Sequence, residues 1–317
     1  MSKKLSVVVP CLNESLNIEN TFERIKKNIE KITKNYEIIF VDDGSTDGSI
    51  DILEKIARVD ENLKILQFSK NFGHQNAIFA GIEFSSGDGI FLIDADLQDP
   101  PEKFYEMYQK WMSGYDVVYG IRELRQKKSF LRKFLYFSYH KIFKLLSDLK
   151  NNEDLVDFCL IDVKVKNELL NIRENNVYFR GLRSWVGFKQ IGILYEQKER
   201  EIGETKYSLN KLFQLALDGI LNFSVKPLNF IFIIGVGMFV ISLFGIVFFL
   251  LQKLLGFSFL GTYPQEAKGF FVLIITVLFF GGVNLTALGI IGEYIGRLYK
   301  EVKNRPRYIV QKKINFK

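Results

Sequence analysis

The chain has 317 residues, a formal net charge of +7 and 48% hydrophobic residues, which by length alone suggests about two structural units. Its two cysteines, Cys11 and Cys159, exclude a disulfide framework and a cysteine-rich zinc site, and they read as thiols of a reducing compartment. The basic excess suits nucleic acid, anionic lipid or a phosphorylated substrate and decides nothing alone, while the apolar run in the opening "MSKKLSVVVP" is too short for a signal peptide.

Through residue 121 two patterns alternate. Short β-rich runs at 5–10 (LSVVVP), 36–41 (YEIIFV), 63–68 (LKILQF), 89–94 (GIFLID) and 116–121 (DVVYGI) predict strands. Between the first two, Ile18, Phe22, Ile25, Ile29 and Ile32 step by four and three, as one face of a helix does. Similar helical segments fit 47–58, 73–84 and 101–112. Strands alternating with helices predict an α/β, Rossmann-like domain with a mostly parallel sheet, whose ligands bind beyond the carboxyl ends of the strands.

That rule selects four polar loops: "PCLNES", "DDGSTDGS", "SKNFGHQNA" and "DADLQDPP". No G-x-G-x-x-G follows the first strand and no G-x-x-x-x-G-K-[ST] occurs, which argues against a dinucleotide fold or a P-loop. In the fourth loop Asp94 and Asp96 flank Ala95, so in extended backbone both carboxylates point to one face. Hard oxygen ligands suit Mg2+ or Mn2+, which take their remaining oxygens from water and substrate phosphates. Gln98 adds a carbonyl ligand or orients a metal-bound water. Asp99, just before "PPE", reads instead as a solvated helix cap. His74 reads as a structural or loop hydrogen-bonding residue rather than a metal ligand.

Further along, 129–150 places Phe130, Phe134, Phe137 and Leu145 among Arg132, Lys133, Lys141 and Lys144, the pattern of a basic interfacial helix. Residues 207–227 form a second such pattern; packing of both on the protein's own core is the alternative. Phe230 to Leu251 is 22 residues without a charge, and Gly269 to Gly292 is 24. At about 1.5 Å per residue each is long enough for a ~30 Å hydrocarbon core. From Arg297 to Lys317 there are eight Lys/Arg and one acid, whereas Gly256 to Lys268 holds one of each sign. The positive-inside rule then puts both termini and the large N-terminal domain in the cytoplasm of a multi-pass protein of the cell membrane. The predicted organisation is a domain over 1–206, an interfacial helix within 207–229, a two-helix transmembrane region over 230–296 and a basic cytoplasmic tail over 297–317. The small-residue patch "GGVNLTALG" permits helix–helix packing and so a homo-oligomer.

Taken together, "VVVPCLNES", "VDDGSTDGS", "NFGHQNA", "DADLQDPPE" and "VVYGIRELR" resemble the GT-A inverting glycosyltransferases, and more narrowly the polyprenyl-phosphate glycosyltransferases. "REIGETKYSL" at 200–209 and the two apolar runs resemble the bacterial membrane branch of that group. The resemblance implies a nucleotide-sugar donor, UDP-glucose first among UDP- and GDP-sugars, a divalent metal and a polyprenyl-phosphate acceptor. It implies that Pro10 and Glu14 line the nucleotide pocket, that Asp43 with Asp42 beside it reads base or ribose, that Asp94 faces ribose and sugar, and that Asp96 and Gln98 hold the metal. It further implies acceptor-phosphate roles for Arg122, Arg132, Arg200 and Lys206, and places Asp157 where the family carries its candidate catalytic carboxylate. Cys159 departs from the family, which usually shows arginine there.

Three alternatives stay open at this point. One is the same reaction with GDP-mannose, a UDP-N-acetylhexosamine or a UDP-aminoarabinose derivative. Another is a processive polysaccharide synthase, to whose Q-x-x-R-W motif "RGLRSW" (180–185) bears only a superficial likeness. The third is a membrane carrier or scaffold that only binds nucleotide sugars. No motif for nucleic-acid recognition is present.

Overall fold

The computed structural model describes residues 3–122, 156–172, 174, 177–197, 269–303 and 305–316, with scattered residues between 231 and 255. The chain divides into two units, one reaching residue 215 and reclaiming residues 304–317, the other made mainly of residues 216–303.

The first unit follows the predicted alternation. Strand β1 (Leu5–Cys11) leads to helix α1 (Ile18–Ile29), β2 (Tyr36–Asp42) to α2 (Ser49–Ala57), and β3 (Leu63–Phe68) to α3 (His74–Phe84). Then β4 (Gly89–Leu92) is followed by a 3-10 turn at Pro101–Lys103, α4 (Phe104–Met112) and β5 (Val117–Arg122). β1 and β2 are buried at every position, as expected for strands covered on both faces. β1 pairs in parallel with β2 and β4, and β2 with β3. α3 lies close on β1: a Cβ on Gly81 would meet Val8 Cγ1 at 2.1 Å, so only glycine permits this approach.

Three strands lay outside the sequence reading. β6 (Cys159–Asp162) inserts antiparallel between β4 and β5, and is followed by α5 (Val163–Asn171) and α6 (Phe179–Trp185). β7 (Gln190–Tyr195) then pairs in parallel with β5. β8 (Val310–Ile314) runs antiparallel along β3, giving the order β7-β5-β6-β4-β1-β2-β3-β8. The segment read as a basic tail is therefore, from 305 to 316, part of the sheet domain. Its pattern of lysines fits an edge strand that carries charge outward, which hides the strand from a hydrophobicity reading. Lys312 pairs with Glu54 at 2.6 Å, Tyr308 stacks on Phe68 with centroids 4.9 Å apart, and the Asn315 amide donates to the carbonyls of Ala57 and Leu63 at 2.8 Å each.

In the second unit, the second apolar run forms one continuous helix, α7 (Gly269–Val302), of 34 residues. Its window Phe279–Gly296 is long and apolar enough to cross a membrane, and none of that window is buried. It is the one such helix among the described residues. Of the first run only isolated residues are described, and those, such as Ile231, Ile233 and Gly235 to Met238, are helical. The predicted interfacial helices at 129–150 and 207–227 lie outside the described residues.

Candidate active site

β1 to β4 all point their carboxyl ends to one edge of the sheet, and the predicted loops converge there. Alternate residues of β1 face β2 and β4: the Asp43 N–H donates to the Cys11 carbonyl at 3.0 Å and the Ile93 N–H to the Val8 carbonyl at 3.1 Å. Pro10 falls on the β4 side, past the last pair Val8–Leu92, so its missing N–H leaves no gap in the ladder. The first two loops are tied together. The Asn13 N–H donates to Ser45 Oγ at 2.9 Å, the Thr46 N–H to Asn13 Oδ1 at 2.8 Å, and the Glu14 N–H to Ser49 Oγ at 3.1 Å. Glu14, half-buried, accepts from the Asn17 amide at 2.7 Å at the start of α1. Gly44, at φ +75°, passes so close to Lys70 that a Cβ would meet its backbone carbon at 2.6 Å.

Asp42 and Asp43 are both buried, with different work. Asp43 accepts from the N–H groups of Phe72 (2.7 Å) and Gly73 (2.9 Å), fixing the loop that starts α3. Asp42 accepts from the Ser45 N–H at 3.1 Å through one oxygen, while Oδ2 is buried without a partner. Burial pushes both carboxyls up. Of the two, Asp42 is the one with an oxygen left unpaired, and its side chain is fully buried.

In the fourth loop the burial alternates residue by residue. Asp94, Asp96 and Gln98 are partly exposed, while Ala95, Leu97 and Asp99 are buried. The three oxygen-bearing side chains are thus the more open ones of the loop, although its backbone turns at Ala95 and Asp96 rather than running extended as the i, i+2 reading assumes. Leu97 holds the turn at φ +58°, its side chain 2% exposed, a strained backbone retained at the site. Two carboxylates and an amide make a sparse donor set, and no cluster of three or more His, Cys, Asp or Glu with metal-holding geometry occurs among the described residues. Such a set fits a hard cation that takes most of its ligands from water and phosphate. Burial, with the nearby Asp99, Asp157 and Asp96 charges, raises the Asp94 carboxyl to about 6 against the opposing pull of His74, which marks a site short of positive charge.

Asp99 is not a helix cap. The 3-10 turn starts from Pro100 without a side-chain cap, and Asp99 is 2% exposed. The Tyr195 hydroxyl donates to its Oδ1 at 2.6 Å and Arg122 lies 3.4 Å away, so the buried charge is paired rather than solvated. Arg122 Nε also donates to the Tyr195 oxygen at 3.0 Å. Gln197 Nε2 donates to Gln98 Oε1 at 2.9 Å, fixing that amide from the end of β7.

Asp157 lies just before β6, 5% exposed. Arg180 Nε and Nη2 grip its two oxygens at 3.0 and 2.8 Å. His74 Nε2 lies between Asp94 (3.5 Å) and Asp157 (3.6 Å). Although burial opposes it, the Asp94 and Asp157 charges raise His74 to about 9, and Arg180 and His74 together hold Asp157 well below the usual carboxylate range. Beside them Arg183 is fully buried, donates to the Val156 carbonyl at 3.0 Å and stacks 5.1 Å from Tyr119. It also reaches the Cys159 thiol, which burial raises to about 11, so a guanidinium from α6 stands beside the cysteine.

Residues 6–169 match the profile described as Glycosyl transferase family 2. This chain belongs to glycosyl transferase family 2. It is 44% identical to the uncharacterized glycosyltransferase YkcC of Bacillus subtilis over 97% of this chain and 93% of that one. It is 37% identical to the uncharacterized glycosyltransferase sll0501 of Synechocystis, over 98% and 95%. It is 35% identical to the bactoprenol glucosyl transferase of Shigella phage SfII over 98% of each chain. The protein is a glycosyltransferase with a GT-A-like α/β fold.

Of the residues singled out from the sequence, Pro10, Glu14, Asp42, Asp43, Asp94, Asp96, Gln98, Arg122 and Asp157 lie at this one sheet edge. Arg132, Arg200 and Lys206 lie outside the described residues. Sequence reasoning did not reach Tyr195, Gln197, Arg180 or Arg183. The first two stand at the end of an unread strand, where the sheet-edge rule would have found them. The arginines lay in "RGLRSW", whose three-residue spacing puts both on one side of a helix.

Proposed function

We propose that this glycosyltransferase moves a sugar, with inversion, from a nucleotide sugar, UDP-glucose first, onto the phosphate of a polyprenyl phosphate at the cytoplasmic face of the cell membrane. The observation that carries this reading is 35% identity over 98% of each chain to a bactoprenol glucosyl transferase, a span that includes both apolar runs. Asp43, with Asp42 and its unpaired oxygen beside it, is assigned to the base or ribose, and Pro10 and Glu14 to the lining of the nucleotide pocket. Asp96 and Gln98, with Asp94, form the face that would hold Mg2+ or Mn2+. Bound there, the ion would offset charge developing on the leaving diphosphate. Arg122, held by Asp99 and Tyr195, is the described member of the acceptor-phosphate group, to which Arg132, Arg200 and Lys206 are assigned. A lipid phosphate is already ionised near neutral pH, so the reaction needs no strong general base, and both Asp157 oxygens are held by Arg180.

The topology has its own support. β3 and β8 share one sheet, which supports an even number of membrane crossings between residues 197 and 305. With α7 as one crossing, Phe230 to Leu251 supplies the other, and the eight basic residues from Arg297 favour the cytoplasmic side.

The test is turnover in detergent with polyprenyl phosphate and a panel of labelled UDP- and GDP-sugars. The expected product is a lipid-phosphate monosaccharide. A polymer would instead favour a processive synthase, and no turnover with any donor would leave a carrier or scaffold.

A further inference from the structure

We infer that Arg180 is a phosphate-binding residue of this site and that Asp157 serves as its holder rather than as the group that meets substrate. This rests on the transfer reaction proposed above. Exposure separates the two partners: the Asp157 side chain is 6% exposed and that of Arg180 is 33%. Both Asp157 oxygens are already engaged, Oδ1 by Arg180 Nε at 3.0 Å, and Oδ2 by Arg180 Nη2 at 2.8 Å with His74 Nε2 at 3.6 Å. A carboxylate used in this way orients a planar guanidinium, as a bidentate pair does. Arg180 also donates to the Tyr178 hydroxyl oxygen.

Charge points the same way. Both reactants of the proposed transfer are phosphates, which a carboxylate repels and a guanidinium draws in. His74 links the pair to Asp94, so Arg180 stands next to the face where the diphosphate would lie. Arg183, on the following turn of α6, holds the carbonyl of Val156 at 3.0 Å. One short helix therefore grips residues 156 and 157 by backbone and by side chain, and this fixes where the Arg180 fork is presented. The ligand is a phosphate group, belonging either to the nucleotide diphosphate or to the lipid monophosphate.

The experiment uses the full-length protein in detergent, with Arg180→Gln, Arg180→Lys, Asp157→Asn and the double variant Arg180→Gln/Asp157→Asn. It measures UDP affinity with Mn2+ by calorimetry, the apparent KM for polyprenyl phosphate, kcat and thermal unfolding. Arg180→Gln is expected to weaken one phosphate ligand by roughly 10- to 150-fold, the scale of one charge-assisted hydrogen bond. A rise in the lipid KM assigns the acceptor phosphate; a loss of UDP affinity assigns the donor diphosphate. Asp157→Asn should weaken the same ligand less, and the double variant should be no worse than Arg180→Gln alone. Should Arg180→Gln fail to fold, Arg180→Lys, which keeps the ion pair but not the planar fork, should show the same loss in milder form. The inference is overturned if the folded Arg180 variants leave both affinities within about twofold, or if Asp157→Asn lowers kcat with both affinities unchanged. A wild-type protein that makes no glycolipid sinks the proposed function instead, whereas normal wild-type turnover with unaltered Arg180 variants sinks only this inference.

Discussion

The loops of β1 to β4 and the segment from β5 to β7 build the two sides of the site differently. On the first side carboxylates are held by backbone N–H groups: Asp42 by Ser45, Asp43 by Phe72 and Gly73, Asp47 by Ser15 and Ser49. On the second, side chain meets side chain, as in Asp99 with Tyr195, Asp157 with Arg180 and Gln98 with Gln197. Backbone donors come with the strand–loop–helix crossover itself and survive changes of neighbouring side chains. Side-chain pairs exist only once α6 and β7 are packed. The first side thus rests on backbone donors and the second on tertiary side-chain pairs, with the Asp94–His74–Asp157 bridge joining them.

The comparison breaks most sharply at Asp96. Asp96→Asn keeps the loop's shape but removes charge from the face proposed for the metal. Turnover should fall by at least about 100-fold, the scale of removing one main electrostatic stabiliser, while the unfolding midpoint stays close to wild type. Near-normal activity in Mg2+ or Mn2+ would show that the face holds no catalytic cation.

Glu37 supplies a control at the opposite end of the strands. It is 1% exposed, and although burial opposes it, Lys64, Ser6 and Ser86 lower its carboxyl to about 2. A carboxyl near 4.5 when unfolded and near 2 when folded contributes about 3 kcal/mol. That contribution is fully present above about pH 4.5 and is lost as the pH falls toward 2. Chemical unfolding of Glu37→Gln should show lower stability at pH 7 and a flatter acid limb than wild type, with no shift in UDP affinity. An unchanged acid limb would mean that Glu37 is not the titrating group.

Tyr195→Phe probes the tertiary side. It removes the hydroxyl that serves both Asp99 and Arg122, a bond to a charged group worth about 1.5–3 kcal/mol. The melting temperature should drop and the lipid-phosphate KM should rise, while UDP binding stays within a few-fold. Equal loss on both substrates would erase the division. The smallest expected effect is Asn315→Ala, which releases the carbonyls of Ala57 and Leu63 and should cost about 1–2 kcal/mol in denaturant unfolding, with kcat intact. A loss of kcat would tie β8 to the chemistry.

Legibility in the sequence follows the same division. The elements from β1 to β5 were readable because each carries its own period and its own loop, and their predicted bounds fall within a few residues of those observed. Asp94, Asp96 and Gln98 were singled out by their spacing in a loop beyond a strand end, and they are the partly exposed positions of that loop. Asp99 was misread because "DPPE" has the local chemistry of a cap, whereas its real partner, Tyr195, lies 96 residues away. β8 was missed because an edge strand bearing Lys312 and Lys313 reads as solvated charge. Arg180 was missed because nothing local tells a helix arginine that clamps a carboxylate from one that faces water.

The most direct test of the two-sided site is a UDP titration, with Mn2+ present, of Asp96→Asn beside Arg122→Lys. The second variant keeps a positive charge near Asp99 but loses the planar fork. Calorimetry should show UDP binding lost or strongly weakened in Asp96→Asn and essentially unchanged in Arg122→Lys, whose defect appears only in the lipid-phosphate KM. Full UDP affinity in Asp96→Asn, or its collapse in a normally folded Arg122→Lys, would contradict the account.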